Sequence, residues 1–193
     1  MDAFVQAPTL SVIGDVMVIE HPQNRPFEQY PRNVAKRAVE YMKELGIADE
    51  MIIGPEYEFH VFRPHDGYHA DQPGDRTFDL RNAICQELAR WGVDVKYHHH
   101  EVGGSGQLEV EVELGEMTRL ADATMAAKYV IRNTAAAHGM TATLMPKLIM
   151  GEAGNGMHVH MLLKKDGNPV FYDENNYAQL SQTGWTNSTG AWR

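Results

Sequence analysis

Alternating apolar and polar residues predict three strands in the central part of the chain. The segments 51–62, 93–102 and 107–114 each alternate with the period of two that a pleated strand imposes. Only the short sequence GGSG separates the last two, so we expect them to pair as a hairpin. A fourth segment, LSVIGDVMVI at 10–19, is rich in β-branched residues and predicts a further, buried strand.

Apolar residues three and four positions apart predict helices between these strands. A glycine follows each of the first two helices at the place of a C-terminal cap, Gly46 and Gly92. The tail at 183–193 is rich in Ser, Thr and Gly, and we expect no helix there. The three predicted helices carry their apolar stripes at Val34, Ala38, Tyr41 and Leu45, at Leu80, Ile84, Leu88 and Trp91, and within 118–138.

The order of these elements indicates an α+β fold. Two neighbouring strands have no helix between them, which excludes a purely alternating βαβ chain. We expect a mixed, largely antiparallel sheet with helices packed on one face. With 193 residues, no repeat and no linker, residues 1–193 are expected to form one domain.

Composition narrows the class of protein. The net charge of −9, from 17 basic and 26 acidic residues without a basic cluster, argues against nucleic-acid binding. The single cysteine, Cys85, excludes a disulfide within the chain and fits a reducing compartment. Since no signal peptide or membrane-length apolar run is visible, we expect a cytoplasmic protein that does not contact membranes.

Acidic residues and histidines share one side of several predicted strands. Glu56, Glu58 and His60 face one way, as do Gln107, Glu109, Glu111 and Glu113, whereas apolar residues occupy the opposite face. His99 shares a face with Glu101, and His158 with His160. Crowded carboxylates repel one another, and a divalent cation relieves that repulsion. Mostly oxygen ligands favour Mg²⁺ or Mn²⁺ over Zn²⁺, although a solvated sheet face remains the alternative.

Three motifs, in their order along the chain, resemble those of glutamine synthetases. They are GPEYEF at 54–59, HHHEVGGSGQLEVE at 98–111 and KLIMGEAGNGMHVH at 147–160. The resemblance covers about residues 8–182 and leaves 183–193 as a divergent tail. It identifies the chain as an incomplete catalytic domain, lacking the family's N-terminal small domain and its arginine-containing C-terminal half.

The resemblance implies a metal and nucleotide site on the sheet face opposite the helices, and specific roles for seven residues. Glu58, Glu101 and Glu109 would hold one divalent ion, and Glu56 and His158 a second. Gly154 would lie at the glutamate substrate and His160 near the phosphates of ATP. The family joins ammonia to glutamate through a γ-glutamyl phosphate, with ATP and Mg²⁺ or Mn²⁺, in homo-oligomers such as dodecameric rings.

The chain departs from the family pattern at three positions. Leu148 replaces a proline, Leu162 a serine, and Lys96 an acidic residue that commonly lies near the nucleotide. Because the missing half would bring the arginines that bind phosphate, we expect the isolated chain to have little or no synthetase activity. An incomplete sheet would leave an unpaired edge, so we also expect self-association.

Two other functions remain open at this stage. One is a related ligase that joins glutamate to another amine, such as a polyamine. The other is a non-catalytic relative that keeps the fold as a metal-binding or interaction module, which the losses at Leu148 and Leu162 favour. Titration with Mn²⁺ and ATP separates the last case from the enzymes.

Overall fold

The computed structural model describes residues 2–62, 68–69 and 73–190, the last four by their backbone alone. Most of the loop predicted at 63–75 therefore lies outside the described residues. No helix in the described ranges has the length and apolar character needed to cross a bilayer. The helices are α1 (Pro31–Glu44), α2 (Phe78–Arg90), α3 (Met117–Ala137) and α4 (Gln182–Gly190), with a 3₁₀ turn at Tyr177–Gln179.

The main sheet contains seven strands in the described part of the chain. Five follow the order β4-β5-β3-β8-β9, and β6 and β7 both pair with β3. Every pairing with an assigned register is antiparallel, which confirms the α+β prediction. The strands are β1 (Met17–Val18), β2 (Arg25–Pro26), β3 (Glu50–Val61), β4 (Val95–His100), β5 (Gln107–Val112), β6 (Gly115–Glu116), β7 (Ala142–Thr143), β8 (Val159–Lys165) and β9 (Asn168–Pro169).

The described residues form two compact units. One unit contains β4, β5, β7 and α2, most of α3 and the second half of β3. The other contains α1, α4, the short strands β1, β2, β6 and β9, and the first residues of β3. Within the first unit, apolar side chains from the strands and helices are fully buried, including Tyr57, Phe59, Leu108, Val110, Ile84, Leu88, Val130 and Ile131. This apolar side fixes which side chains of β3 and β5 face away from the core.

The predicted hairpin and the predicted helices are confirmed. Strands β4 and β5 pair antiparallel, with His99 opposite Glu109 and His98 opposite Val110. The two cap glycines have the left-handed backbone that the sequence indicated, with φ of +64° at Gly46 and +76° at Gly92. The stripe predicted for α1 is wrong as a buried face, because Val34, Tyr41 and Leu45 are exposed and the helix buries Asn33 and Met42 instead.

The strand predicted at 10–19 is wrong. Only Met17 and Val18 are in a strand, and they pair with Arg25 and Pro26. The apolar side chains of this segment are largely exposed, with Leu10 at 81%. Strand propensity depends on a neighbouring strand and a surface to pack against, and most of this segment has neither within its unit.

The expectation of no helix in the tail is also wrong, because α4 covers Gln182–Gly190. Ser181 precedes this helix, and its hydroxyl accepts a hydrogen bond from the backbone N–H of Gly184 at 3.1 Å. The same hydroxyl donates to the carbonyl of Val170 at 2.7 Å. Ser181 is thus an N-cap, and it is the sequence signal that could have predicted this helix.

Gly46→Ala is expected to destabilise the protein by about 1 kcal/mol, because an L-residue at positive φ is strained. The added methyl group itself has room, since its nearest neighbour would be the Lys165 ammonium at 3.7 Å. Gly14→Ala is the matched control, because Gly14 has no atom within 4 Å of an added Cβ and no positive φ. Urea titrations of both variants measure the difference, and equal midpoints would contradict the prediction.

Candidate metal centre

The site is built on the polar side of strands β3 and β5. Tyr57 and Phe59 of β3 are buried among apolar residues, so Glu56, Glu58 and His60 project to the opposite face. The register between the two strands then places glutamates of β3 directly opposite glutamates of β5. Glu56 is opposite Glu111, and Glu58 is opposite Glu109.

Two groups of side chains have their ligand atoms within 4.8 Å of one another. The first group consists of His99, Glu101 and Glu109, and the second of Glu56, Glu109 and Glu111. Glu109 belongs to both groups and is only 5% exposed. Its central position follows from the pairing of β5 with β4 on one side and with β3 on the other.

Of the three residues predicted to hold the first ion, the structure brings Glu101 and Glu109 together directly. The carboxylate of Glu58 lies outside both groups. One of its oxygens accepts hydrogen bonds from Gln107 Nε2 and from the backbone N–H of Gly156, each at 2.9 Å. These two donors fix the orientation of Glu58, whose backbone is directly opposite Glu109.

The pair predicted to hold the second ion is in contact. His158 Nδ1 lies 2.9 Å from an oxygen of Glu56 and 3.8 Å from one of Glu58. The imidazole of His158 is 69% exposed, so one side of it is open to solvent. His160, predicted to lie near the phosphates of ATP, is an exposed residue of β8.

The glycine-containing segment 151–156 is anchored by backbone and amide contacts. Gly154 is pressed against Pro146, whose carbonyl oxygen would lie 2.4 Å from an added Cβ. The Gly154 carbonyl accepts a hydrogen bond from Gln107 Nε2 at 2.9 Å. Asn155 donates to the carbonyl of Met145 at 3.0 Å and accepts from His60 at 2.8 Å. Gly154 therefore has a structural role whatever ligand it contacts.

A second anchor joins this segment to the turn after β4. The hydroxyl of Ser105 donates to Glu152 at 2.5 Å, and the Ser105 backbone N–H donates to the other carboxylate oxygen at 3.2 Å. Lys147 also donates to the carbonyl of Glu152. The segment is thereby held at both of its ends against the strands that carry the carboxylates.

The electrostatics of the centre favour a cation. Burial raises the pKa of Glu109 to about 8, and a hydrogen bond with Glu101 and the charges of Glu56, Glu101 and Glu58 act in the same direction. A divalent ion among these oxygens would replace repulsion with attraction. The donor set, several carboxylates with two imidazoles, therefore fits Mg²⁺ or Mn²⁺.

Lys96 and Tyr97 modify one edge of the centre. The ammonium of Lys96 lies 3.1 Å from Glu111, and the hydroxyl of Tyr97 donates to the same carboxylate. The hydrogen bond to Glu111 and burial raise the pKa of Tyr97 to about 12. Lys96 thus offsets part of the negative charge of Glu111.

The sequence did not assign four residues that the structure places in or directly behind the centre: His99, Gln107, Glu111 and Asn155. Strand alternation already put the first three on the polar face. What it could not provide was the register between strands, which decides which of those side chains meet.

The chain is similar in sequence to known proteins. Residues 28–191 match the family described as glutamine synthetase, catalytic domain. The glutamine synthetase of Pseudomonas aeruginosa is 36% identical over 221 aligned positions, which cover 95% of this chain and 46% of that relative. The glutamine synthetase of Streptomyces coelicolor is 40% identical over 195 positions, covering 81% of this chain and 42% of that relative.

Solved structures show the same fold. A cryo-EM structure of Plasmodium falciparum glutamine synthetase has a TM-score of 0.74 and 23% identity, covering 89% of this chain and 44% of that one. The crystal structure of a novel glutamine synthase homolog has a TM-score of 0.76, covering 83% of this chain and 38% of that one. The chain spans about half the length of the curated relatives it matches. From the family match and the identities to its relatives, the chain belongs to the glutamine synthetase family.

Proposed function

We propose that this chain is part of the catalytic domain of a ligase that joins ammonia to glutamate at the expense of ATP, through a γ-glutamyl phosphate. The observation that carries the proposal is that Glu109 lies within 4.8 Å, by ligand atoms, of Glu101 in one group and of Glu56 in another, in a chain of this family. The ring-shaped homo-oligomer expected from the resemblance is part of the same proposal.

Two divalent ions, Mg²⁺ or Mn²⁺, would be held by the residues predicted from sequence. Glu58, Glu101 and Glu109 hold the first in this proposal, and Glu56 with His158 holds the second. When bound, such ions supply positive charge that offsets the negative oxygens of the phosphoryl group and of the substrate carboxylate. The chain's own task is to keep the ligands in place.

The neighbouring residues perform this positioning. Gln107 links Glu58 to the carbonyl of Gly154 through one amide nitrogen, with 2.9 Å to each oxygen. This connects a metal ligand directly to the segment proposed to bind glutamate. Gly154 is assigned to glutamate and His160 to the phosphates of ATP, both from the resemblance. Because the Gln107 amide contacts both Glu58 and Gly154, it would hold the glutamate substrate at a fixed position relative to the metal ion.

A chimeric enzyme tests the proposal. Residues 28–191 would replace the matching segment of the Pseudomonas aeruginosa glutamine synthetase, and γ-glutamyl hydroxamate formation would be measured with hydroxylamine, ATP and Mn²⁺. We expect metal-dependent product, lowered by about 10²–10³-fold in Glu58→Gln, because a charged ligand is lost. Glu28→Gln, at an exposed position, is the control.

The outcomes separate the candidate functions. A correctly assembled chimera that forms no hydroxamate would refute the proposal. Parallel reactions with ammonia and with a polyamine identify the acceptor, and preference for the polyamine would assign the chain to the related amine ligases. Mn²⁺ binding without ATP binding would instead favour a non-catalytic role.

A further inference from the structure

His99 lies between the two acids that are proposed to hold the first ion. Its Nε2 atom is 3.6 Å from Glu109, and its Nδ1 atom is 3.7 Å from Glu101. Both separations exceed the 2.7–3.2 Å that is usual for N–H···O hydrogen bonds. Metal bonds of about 2.0–2.2 Å at ordinary coordination angles place two ligand atoms roughly 2.8–3.8 Å apart. The distance from Nε2 to Glu109 is that of two ligands of one ion.

The tautomer of His99 leaves one ring nitrogen available to bind a metal ion. Its Nδ1 atom lies 3.0 Å from the backbone carbonyl of His100 and therefore carries the proton that it donates there. The Nε2 atom is left with a lone pair directed toward the Glu109 side. Histidines that bind metals usually donate their other ring N–H to a carbonyl or carboxylate in this way.

Neighbouring rings restrict the orientation of the imidazole. Tyr97 is stacked beside it with 5.8 Å between ring centroids, and His69 lies at 4.3 Å. The side chain is 11% exposed, so it is largely removed from water. It also borders a cleft of about 240 Å³ that Arg81 and Phe78 help to line. A pre-oriented nitrogen ligand loses little entropy when it binds an ion.

We propose that His99 is a ligand of the ion held by Glu101 and Glu109, and that it determines which metal this site prefers. The inference rests on the metal site of the proposed function and adds a nitrogen ligand to it. Mg²⁺ binds oxygen almost exclusively, whereas imidazole strengthens the binding of Mn²⁺ and of later divalent ions. The site therefore favours Mn²⁺ over Mg²⁺.

Calorimetric titrations of the purified protein with Mn²⁺ and with Mg²⁺ test this preference. His99→Gln is expected to weaken Mn²⁺ binding about tenfold or more, while Mg²⁺ affinity changes less than about threefold. His138→Gln is the matched control, because His138 is exposed and its imidazole donates to the carbonyl of Thr134, away from the carboxylates of the centre. Circular dichroism melts establish that each variant is folded. Unchanged Mn²⁺ affinity in folded His99→Gln would overturn the inference.

Pulsed electron paramagnetic resonance of bound Mn²⁺ provides a test that leaves His99 intact. A His158→Gln background removes the other proposed imidazole ligand, and nitrogen coupling to Mn²⁺ is expected to persist. Absence of that coupling overturns the role of His99 while leaving the carboxylate site in place. Failure of the unaltered protein to bind Mn²⁺ at all overturns the proposed metal centre as well, so the two failures are distinguishable.

Discussion

Replacing Glu109 with glutamine is expected to lower Mn²⁺ affinity by at least about a hundredfold, because a charged metal ligand is lost. Losing even a residue that only hydrogen-bonds to a metal ligand typically lowers metal affinity by about 10–100-fold. Glu109 is the member common to both groups of ligand atoms, so its removal impairs both. No other acid in the described centre has this position. Calorimetry with Mn²⁺ measures the change directly.

The same variant is expected to be more stable than the unaltered protein when metal is absent. Burial and the nearby carboxylates raise the pKa of Glu109 to about 8, so this carboxyl must take up a proton when the protein folds near neutral pH. Glutamine removes that cost. We expect the metal-free melting temperature to rise by roughly 3–6 °C, equivalent to about 1–2 kcal/mol. Mn²⁺ should then stabilise the unaltered protein and have little effect on the variant.

Glu113→Gln is the matched control for both measurements. Glu113 follows the same strand and is exposed, so its replacement should change neither Mn²⁺ affinity nor metal-free stability. If Glu109→Gln melted below the unaltered protein without metal, repulsion at this position would be disproved. If it kept full Mn²⁺ affinity, the centre would have to lie elsewhere.

The sequence predicted the main elements because each had a local signal. Alternation gave β3 and β5, and glycine caps marked the ends of α1 and α2. The segment 10–19 had strand propensity without a partner, and propensity alone does not form a strand. Helix α4 has a sequence of low helix propensity, but Ser181 caps its first turn and favours the helix locally.

The candidate centre was predictable only in part, for a geometric reason. The sequence placed Glu56, Glu58 and Glu109 on polar strand faces, and the family resemblance gave their proposed roles. The sequence pattern could not show that β3 and β5 pair with Glu58 opposite Glu109. Shifting one strand by two residues along the other keeps every side chain on the same face but changes all of its cross-strand neighbours. His99 became a candidate only once the register between β4 and β5 was known, and Glu111 once that between β3 and β5 was known.

Arg81→Met is expected to destabilise the protein by about 3–5 kcal/mol, because it removes the arginine that pairs with the buried carboxylate of Asp75. Arg81 and Asp75 are 3% and 5% exposed, and their closest atoms are 2.5 Å apart. Arg81 also donates to Thr77 at 2.7 Å and to His98 at 3.0 Å. Urea denaturation measures the loss. Arg25→Met, which breaks a pair with Glu20 in which both side chains are about half exposed (51% and 50%), should cost at most about 1 kcal/mol.

The Asp75–Arg81 pair also makes the free energy of unfolding depend on pH in the acidic range. Burial opposes ionisation of Asp75, but hydrogen bonds from Arg81 and from the Thr77 backbone outweigh it and lower the pKa to about 2. Because the folded pKa lies below the unfolded value of 3.8, this group's stabilisation is complete above about pH 4 and is lost as the pH falls toward 2. In Arg81→Met the pKa of Asp75 loses the lowering by Arg81 and keeps only that by Thr77 and His100, so the variant should lose less stability over that interval. Unfolding free energies measured between pH 5 and pH 2 decide this, and parallel profiles for the two proteins would show that Arg81 does not control Asp75.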